Sequence, residues 1–455
     1  VNMTHYDVIV VGKGSSKYVI SKAADKYNKV AVIDKPPVGG TCMNFGCIPT
    51  KTLVYPANRI RAINNSIKIG IKANIESTDF IAHLEQVRAD REKHRQSQLN
   101  FLNQTENIDY YPGEGHFLEE NTLAVNGRKL SGDKIFLANG TRPLIPPIQG
   151  LKETDYLTNE SILELTQKPE SIIIIGGGYI SLEYAHILSA FGIKVTILER
   201  RSRLMSSLEP EISEIVEQEV NKFADLYLAT EAREVFTDGG ITITAESQGD
   251  TIKIKGERVF LATGRKSNAD TLKLENTAIE VNDRGFIKVN KYLKTNQENV
   301  WAFGDINGKE MLKHIANQEA RIAWHNAINN KKKEMHYHAS PKALFTHPEI
   351  ASVGLTEQEA RKDHSILLGK AKFKSVRKGA IMKDYNGMVK AVVDKDNRKL
   401  LGFHIVGPHA SILLQEAATV IANRAKIDFI IESIHTFPAL PEIILKPLLN
   451  LEEPD

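Results

Sequence analysis

YDVIVVGKGSSKYVISKAADKYNKVAVID, residues 6–34, reads as strand, glycine turn, helix and strand. The β-branched run VIVV at 8–11 is the pattern of a parallel strand buried on both faces. Gly12 permits the tight turn that follows. Gly14 lets the backbone approach a pyrophosphate at a helix N-terminus, where unpaired N–H groups and the helix dipole favour an anion. The second strand ends in Asp34, about 20 residues past the first glycine, where a carboxylate accepts hydrogen bonds from a ribose diol. Lys17 stands where this fingerprint has its third glycine, so its amine is either a pyrophosphate contact or a solvated charge.

The same plan recurs in SIIIIGGGYISLEYAHILSAFGIKVTILER, residues 171–200. Gly176 and Gly178 fill the first two glycine places, Ser181 fills the third, and Glu199 closes the second strand. Two strand–turn–helix–strand units that both end in an acid predict an α/β chain binding two dinucleotides, or one of them twice.

The composition sets outer bounds. At 455 residues the chain has room for about three domains. Lys and Arg number 59 against 56 for Asp and Glu, a balance that gives no sign of a nucleic-acid binder. No apolar run approaches membrane-spanning length, and no leader pattern precedes the first strand, so the expectation is a cytoplasmic protein off the membrane. Cys42 and Cys47 are the only cysteines, too few for a disulfide-stapled secreted fold and wrongly spaced for a zinc knuckle. No metal site is expected, and the histidines of HYH at 336–338 read as a loop. Taken alone, the cysteine pair reads as two inert buried thiols.

Its neighbours change that reading. GGTCMNFGCIPTK, residues 39–51, resembles the redox-active disulfide motif of the class I pyridine nucleotide–disulfide oxidoreductases, the group that includes dihydrolipoamide dehydrogenase, glutathione reductase, mycothione reductase and mercuric reductase. The likeness runs nearly end to end. ANGTRP (138–143) and ATGRKSN (262–268) resemble the family's two ATG-type segments, TNQENVWAFGD (295–305) its second FAD motif, and FTHPEIASVGLTEQEA (345–360) the start of its dimerisation domain. The resemblance implies two Rossmann-like domains and a C-terminal α+β dimerisation domain. FAD would take 1–148 and 266–334, NAD(P) 149–265, and the interface domain 335–455. It also implies a homodimer.

The resemblance assigns roles as well. Cys47 becomes the flavin-proximal thiol that forms a charge-transfer complex, and Cys42 the thiol that exchanges with substrate. Lys51 and Glu183 match an ion pair beside the flavin. Thr41, Gly140, Gly304 and Asp305 join Gly12, Gly14 and Asp34 in holding FAD. Gly264 joins Gly176, Gly178, Tyr179, Glu199 and Arg200 around the nicotinamide cofactor, with Tyr179 as gate to its pocket. Electrons would pass from nicotinamide through FAD to the cysteine pair. Glu199 suits the 2′-hydroxyl of NAD, whereas Arg200, Arg201 and Arg203 could pair with a 2′-phosphate; the acid tips the expectation to NAD(H) over NADP(H).

One departure stands out. Thiol reductases of this family read His-Pro-x-x-x-Glu near the C-terminus, supplied across the dimer as an acid–base pair. HTFPALPEIILKPLLN, residues 435–450, keeps Pro438 and Glu442 but has Phe437 at the histidine place. Phenylalanine transfers no proton. His435, two residues earlier, either reaches the site through a shifted loop or, the favoured reading, matches a second, noncatalytic histidine of the family. The leading expectation is an FAD-dependent NAD(P)H:disulfide oxidoreductase of dihydrolipoamide dehydrogenase plan, acting on a small-molecule thiol or disulfide. The alternatives are a metal-ion reductase like mercuric reductase, which also carries Phe-Pro here, a quinone reductase, and a low-turnover redox sensor or complex component.

Overall fold

The run MTHYDVIVV forms strand β1 (Met3–Val11), and the segment that follows it forms helix α1 (Lys17–Lys26) and strand β2 (Val30–Asp34). This computed structural model describes residues 3–383 and 386–454. Contacts divide the chain into two units. One comprises Val1–Thr50, Leu84–Leu144 and Gly264–Tyr337; the other comprises Lys51–His83, Ile145–Thr263 and His338–Asp455. Among the described residues no helix is long and apolar enough to cross a membrane.

In the first unit β1 is the hub of the sheet. It pairs in parallel with β2, Val8 opposite Val30, and with Arg128–Leu137, Val8 opposite Lys134. Ile108–Pro112 extends the sheet beyond β2, and Val300–Ala302 joins Arg128–Leu137 in parallel. Thr122–Val125 and His116–Glu119 continue it as antiparallel hairpins. Every residue from Val8 to Val11 is buried, because a hydrophobic cluster packs on each face of the sheet. On one face Val8, Val10, Val30 and Val32 pack with Phe136, Trp301 and Trp324, and the Phe136 and Trp301 rings stack at 5.4 Å. Fully burying an aliphatic side chain of this kind stabilises by about 1.5–3 kcal/mol.

The second unit repeats the motif around Ser171–Ile175, which pairs in parallel with Lys194–Leu198 and Arg258–Leu261. A three-stranded antiparallel sheet, Thr230–Thr237, Ile241–Ser247 and Asp250–Gly256, shares a core with it. The C-terminal part is a six-stranded antiparallel sheet in which Met388–Asp394 and Leu400–Gly407 are central. The helix Ala410–Ala422 packs Leu414, Ala417 and Ile421 against Val389, Phe403 and Ile405.

That unit also buries a charge cluster. Lys390, 1% exposed, places Nζ 2.7 Å from Glu209 Oε2, 2.7 Å from Glu357 Oε2 and 3.1 Å from Glu211 Oε2. Burial alone would lower the basicity of Lys390, but hydrogen bonds to Glu209 and Glu357 carry it above its usual value. Removing one partner of such a cluster leaves like charges desolvated together. Lys390→Met is therefore expected to cost about 3–5 kcal/mol, read as a fall in the urea midpoint at unchanged slope.

One expectation is corrected. Residues 77–104 have a polar and charged majority and read as a long polar helix facing solvent. Helix α4 (Phe80–Gln104) instead buries Leu84, Val87, Arg91 and Leu102. Arginine stems are apolar enough to be buried when the guanidinium finds acceptors, which the residue pattern does not reveal.

Candidate functional site

The glycine turn of the first unit is shaped by a near-collision. The Gly12 N–H donates to Ile33 O at 2.7 Å, with φ at +91°. A Cβ there would lie 2.3 Å from the Ala138 carbonyl oxygen, so no other residue fits. The second unit has the same arrangement: Gly176 sits at φ +116°, its N–H donates to Leu198 O, and a Cβ would come 2.3 Å from Ala262 O. Gly178 has open space where a Cβ would stand, as a cradle for a phosphate-bearing ligand requires.

Lys17 is exposed at the start of α1, so the absence of a third glycine costs no packing. The inward position belongs to Ser16, whose Oγ donates to Gly12 O at 2.6 Å. Asp34 ends β2 buried, accepting from the Lys13 N–H (3.0 Å) and the Gly39 N–H (3.1 Å). Burial pushes its carboxyl up to about 6 despite those two donors. The backbone around the second FAD motif is equally constrained. Gly304 N–H donates to buried Glu319 (2.6 Å), and Asp305 Oδ2 accepts from Thr141 Oγ1 at 3.0 Å. Gly140 accepts from the Asn268 N–H, and Gly264 accepts from the Leu144 N–H.

The cysteines lie on helix α2 (Gly40–Asn44) and at the first residue of helix α3 (Cys47–Asn65). Thr41 O accepts from the Phe45 N–H at 2.7 Å, turning the chain back on itself. Gly46 then passes close enough to Cys42 that a Cβ on it would sit 3.2 Å from the Cys42 Cα. This fold-back brings the thiols within hydrogen-bonding reach, and the Cys47 contact, followed by burial, raises the Cys42 thiol well above its ordinary range.

Residues that sequence reasoning missed fix this turn. Asn44, fully buried, donates through Nδ2 to Val38 O and Gly40 O, both at 3.0 Å. Its side-chain oxygen accepts from Arg95 Nε (2.6 Å), and its carbonyl accepts from Arg91 (3.2 Å), both on α4. A lone Asn between two cysteines gives no signal of its own.

In the second unit Lys51 Nζ meets both oxygens of Glu183, at 2.8 and 2.7 Å. Phe345 N–H also donates to Glu183 Oε1 (3.1 Å), and its ring lies 4.9 Å from Lys51 Nζ. Tyr179 begins the helix Tyr179–Ala190 and is half-buried. Glu199 Oε1 accepts from the Arg201 N–H (2.8 Å), while Oε2 lies where a Cβ on Gly177 would come within 2.7 Å. The carboxylate thus rests on the glycine turn. Arg201 and Arg203 both bond to Ser206, and Arg200 is exposed.

At the C-terminal end Phe437 is 70% exposed. Glu442 opens the helix Glu442–Leu445 and accepts weakly from the Ala439 N–H at 3.4 Å. His435 has both ring nitrogens engaged, Nδ1 with Ser433 O and Nε2 with Glu416 Oε1, each at 3.0 Å.

Known proteins resemble this chain over most of its length. The family described as pyridine nucleotide-disulphide oxidoreductase matches residues 6–320, and its dimerisation domain matches 340–447. The mercuric reductase of Staphylococcus aureus is 30% identical, over 96% of this chain and 81% of that one. Dihydrolipoyl dehydrogenase of Bacillus subtilis (strain 168) is 32% identical over 97% of both. The mycothione reductase of Mycobacterium tuberculosis is 31% identical over 99% of this chain and 100% of its own length. Among solved structures, the HOCl-induced flavoprotein disulfide reductase RclA from Escherichia coli superposes with a TM-score of 0.85 at 26% identity, over 96% of this chain and 98% of that one. The chain belongs to the pyridine nucleotide–disulfide oxidoreductase family and is an α/β flavoenzyme of FAD- and NAD(P)H-dependent type.

Proposed function

We propose that the enzyme uses NADH to reduce a small-molecule disulfide through Cys42 and Cys47, working as a homodimer. The observation carrying this reading is the fold-back that holds the two thiols in contact at the start of α3. Gly12, Gly14, Asp34 and Thr41, with Gly140, Gly304 and Asp305, would hold FAD, and the glycine cradle and buried acid fit such a ligand. Bound FAD supplies a two-electron relay between nicotinamide and the cysteine pair. The Lys51–Glu183 ion pair serves that cofactor. Gly176, Gly178, Tyr179, Glu199, Arg200 and Gly264 would bind the nicotinamide dinucleotide. The dimerisation-domain match supports the homodimer. We keep the domain division 1–148 with 266–334, 149–265 and 335–455.

The cysteines do the exchange. The Cys42 sulfur attacks the substrate disulfide and releases one thiolate. The Cys47 sulfur then attacks the mixed disulfide, releasing the second and closing the Cys42–Cys47 bond. Two electrons leave the pair, and two protons end on the product thiols. NADH preference is supported by the Glu199 carboxylate on the glycine turn and by Arg201 and Arg203 being committed to Ser206.

A second reading, an acceptor that needs no acid–base group such as a metal ion or quinone, is favoured by Phe437 and by the engagement of both His435 nitrogens. Steady-state assays of NADH and NADPH against lipoamide, low-molecular-weight disulfides, Hg(II) and quinones separate the two. We expect kcat/KM at least about tenfold higher with NADH, a difference of about 1.4 kcal/mol, together with turnover of one disulfide. Turnover of Hg(II) or quinones alone selects the second reading.

A further inference from the structure

We propose that Glu319 is a positioning residue that clasps the Gly304–Asp305 turn in the shape that receives FAD. The inference rests on the reading of Asp305 as a holder of that cofactor. The strand Val300–Ala302 runs in parallel beside Arg128–Leu137, and their ladder ends at Phe303, whose N–H donates to Leu137 O at 3.1 Å. The next amide, that of Gly304, goes not to the sheet but to Glu319 Oε2, at 2.6 Å. Gly304 has φ +77° and ψ −160°, a backbone shape essentially confined to glycine. Asp305 then opens the single turn Asp305–Asn307, and the last residue of that turn returns to the same carboxylate: Asn307 Nδ2 donates to Glu319 Oε1 at 3.1 Å. One side chain therefore ties both ends of the turn that carries Asp305.

The clasp explains why the residue is a glutamate. Glu319 lies fully buried on the helix Lys313–Ile328, where a carboxylate is costly unless its oxygens find donors. Burial pushes its carboxyl up, and the bonds from Tyr337, Gly304 and Asn307 oppose that push. Tyr337, from the HYH segment, gives its hydroxyl proton to Oε1. One oxygen thus serves Gly304 and the other serves Asn307 and Tyr337. A glutamine has a single acceptor oxygen, and its amide N–H groups would face a donor at the other place. The Asp305 side chain is aimed separately. Its Oδ2 accepts from Thr141 Oγ1 at 3.0 Å, and Thr141 is held by Arg265, through Nε to Oγ1 (2.9 Å) and through a terminal nitrogen to the carbonyl (2.8 Å). Thr141 sets the Asp305 carboxylate, and Glu319 sets the backbone beneath it.

The test is a double-mutant cycle read as FAD affinity. Parent, Glu319→Gln, Asp305→Ala and the double variant, each purified with FAD, are serially diluted, and the fluorescence of released flavin gives the Kd. Glu319→Gln and Asp305→Ala should each weaken FAD about tenfold or more, the usual worth of a hydrogen bond to a charged group. The double variant should match Asp305→Ala within about twofold, because a residue acting through the turn has nothing left to position. A merely structural glutamate would weaken FAD by the same factor in both backgrounds, and that result overturns the proposal, as does parental affinity in Glu319→Gln. If Glu319→Gln does not fold, Asn307→Ala, which unties one end of the turn and leaves the carboxylate in place, must weaken FAD at least about threefold, and only where Asp305 is present; any other result there is equally fatal. Parental affinity in Asp305→Ala removes the cofactor role of Asp305 and this proposal with it, while leaving the cysteine exchange standing. No step of the assay uses a disulfide, so failure to turn one over counts against the proposed function alone.

Discussion

In Cys47→Ser, anaerobic titration with NADH reduces the flavin without the long-wavelength thiolate-to-flavin band that the parent develops, and disulfide turnover falls to background. The reason is stoichiometric. A single remaining thiol at Cys42 can form a mixed disulfide but cannot resolve it, so the two electrons never leave as product thiols. Serine matches the size of cysteine at the exposed start of α3 and should leave the fold intact, so FAD content is expected to stay at the parental level. Retention of the band in the variant would remove Cys47 from the role assigned to it. Absence of the band in the parent would remove the dithiol mechanism altogether.

Phe437→His is expected to act in the opposite direction, raising disulfide turnover by about a hundredfold to ten-thousandfold, the usual worth of a placed acid–base group. Within the single chain Phe437 is mostly exposed, so the substitution removes no packing of its own subunit's core. Glu442, five positions on, supplies a carboxylate of the kind that orients such a histidine. The gain should follow the titration of an imidazole, with a pH optimum close to its ordinary value of about 6.5. Turnover that does not move with the new histidine means that the natural acceptor never required a proton from this position, and attention shifts to metal ions and quinones.

How much of this was legible in the sequence differs from element to element, for physical reasons. The two nucleotide units could be read because a glycine turn between a buried strand and a helix has few chemical solutions. A Cβ on Gly12 or Gly176 would come 2.3 Å from a facing carbonyl oxygen, and that constraint leaves its mark in residue identity. The cysteine segment was legible because thiol pairs are rare and tightly spaced. Helix α4 was misread: its inward face is carried by Leu84, Val87 and Leu102 with Arg91 among them, and the charged and polar majority around these positions disguises it. The Lys390 cluster joins residues distant in the chain, and nothing in KAVVD or SLEPE indicates that a lysine there is buried.

The near-collisions at Gly12 and Gly176 bear on how such chains are found. The first glycine of each fingerprint is a mechanical requirement, whereas the sixth place is occupied by an exposed lysine in one unit and a buried serine in the other. A search pattern that insists on all three glycines would pass over this protein twice. One that weights the first glycine, the carbonyl-bearing strand across from it and the terminal acid would recover both halves.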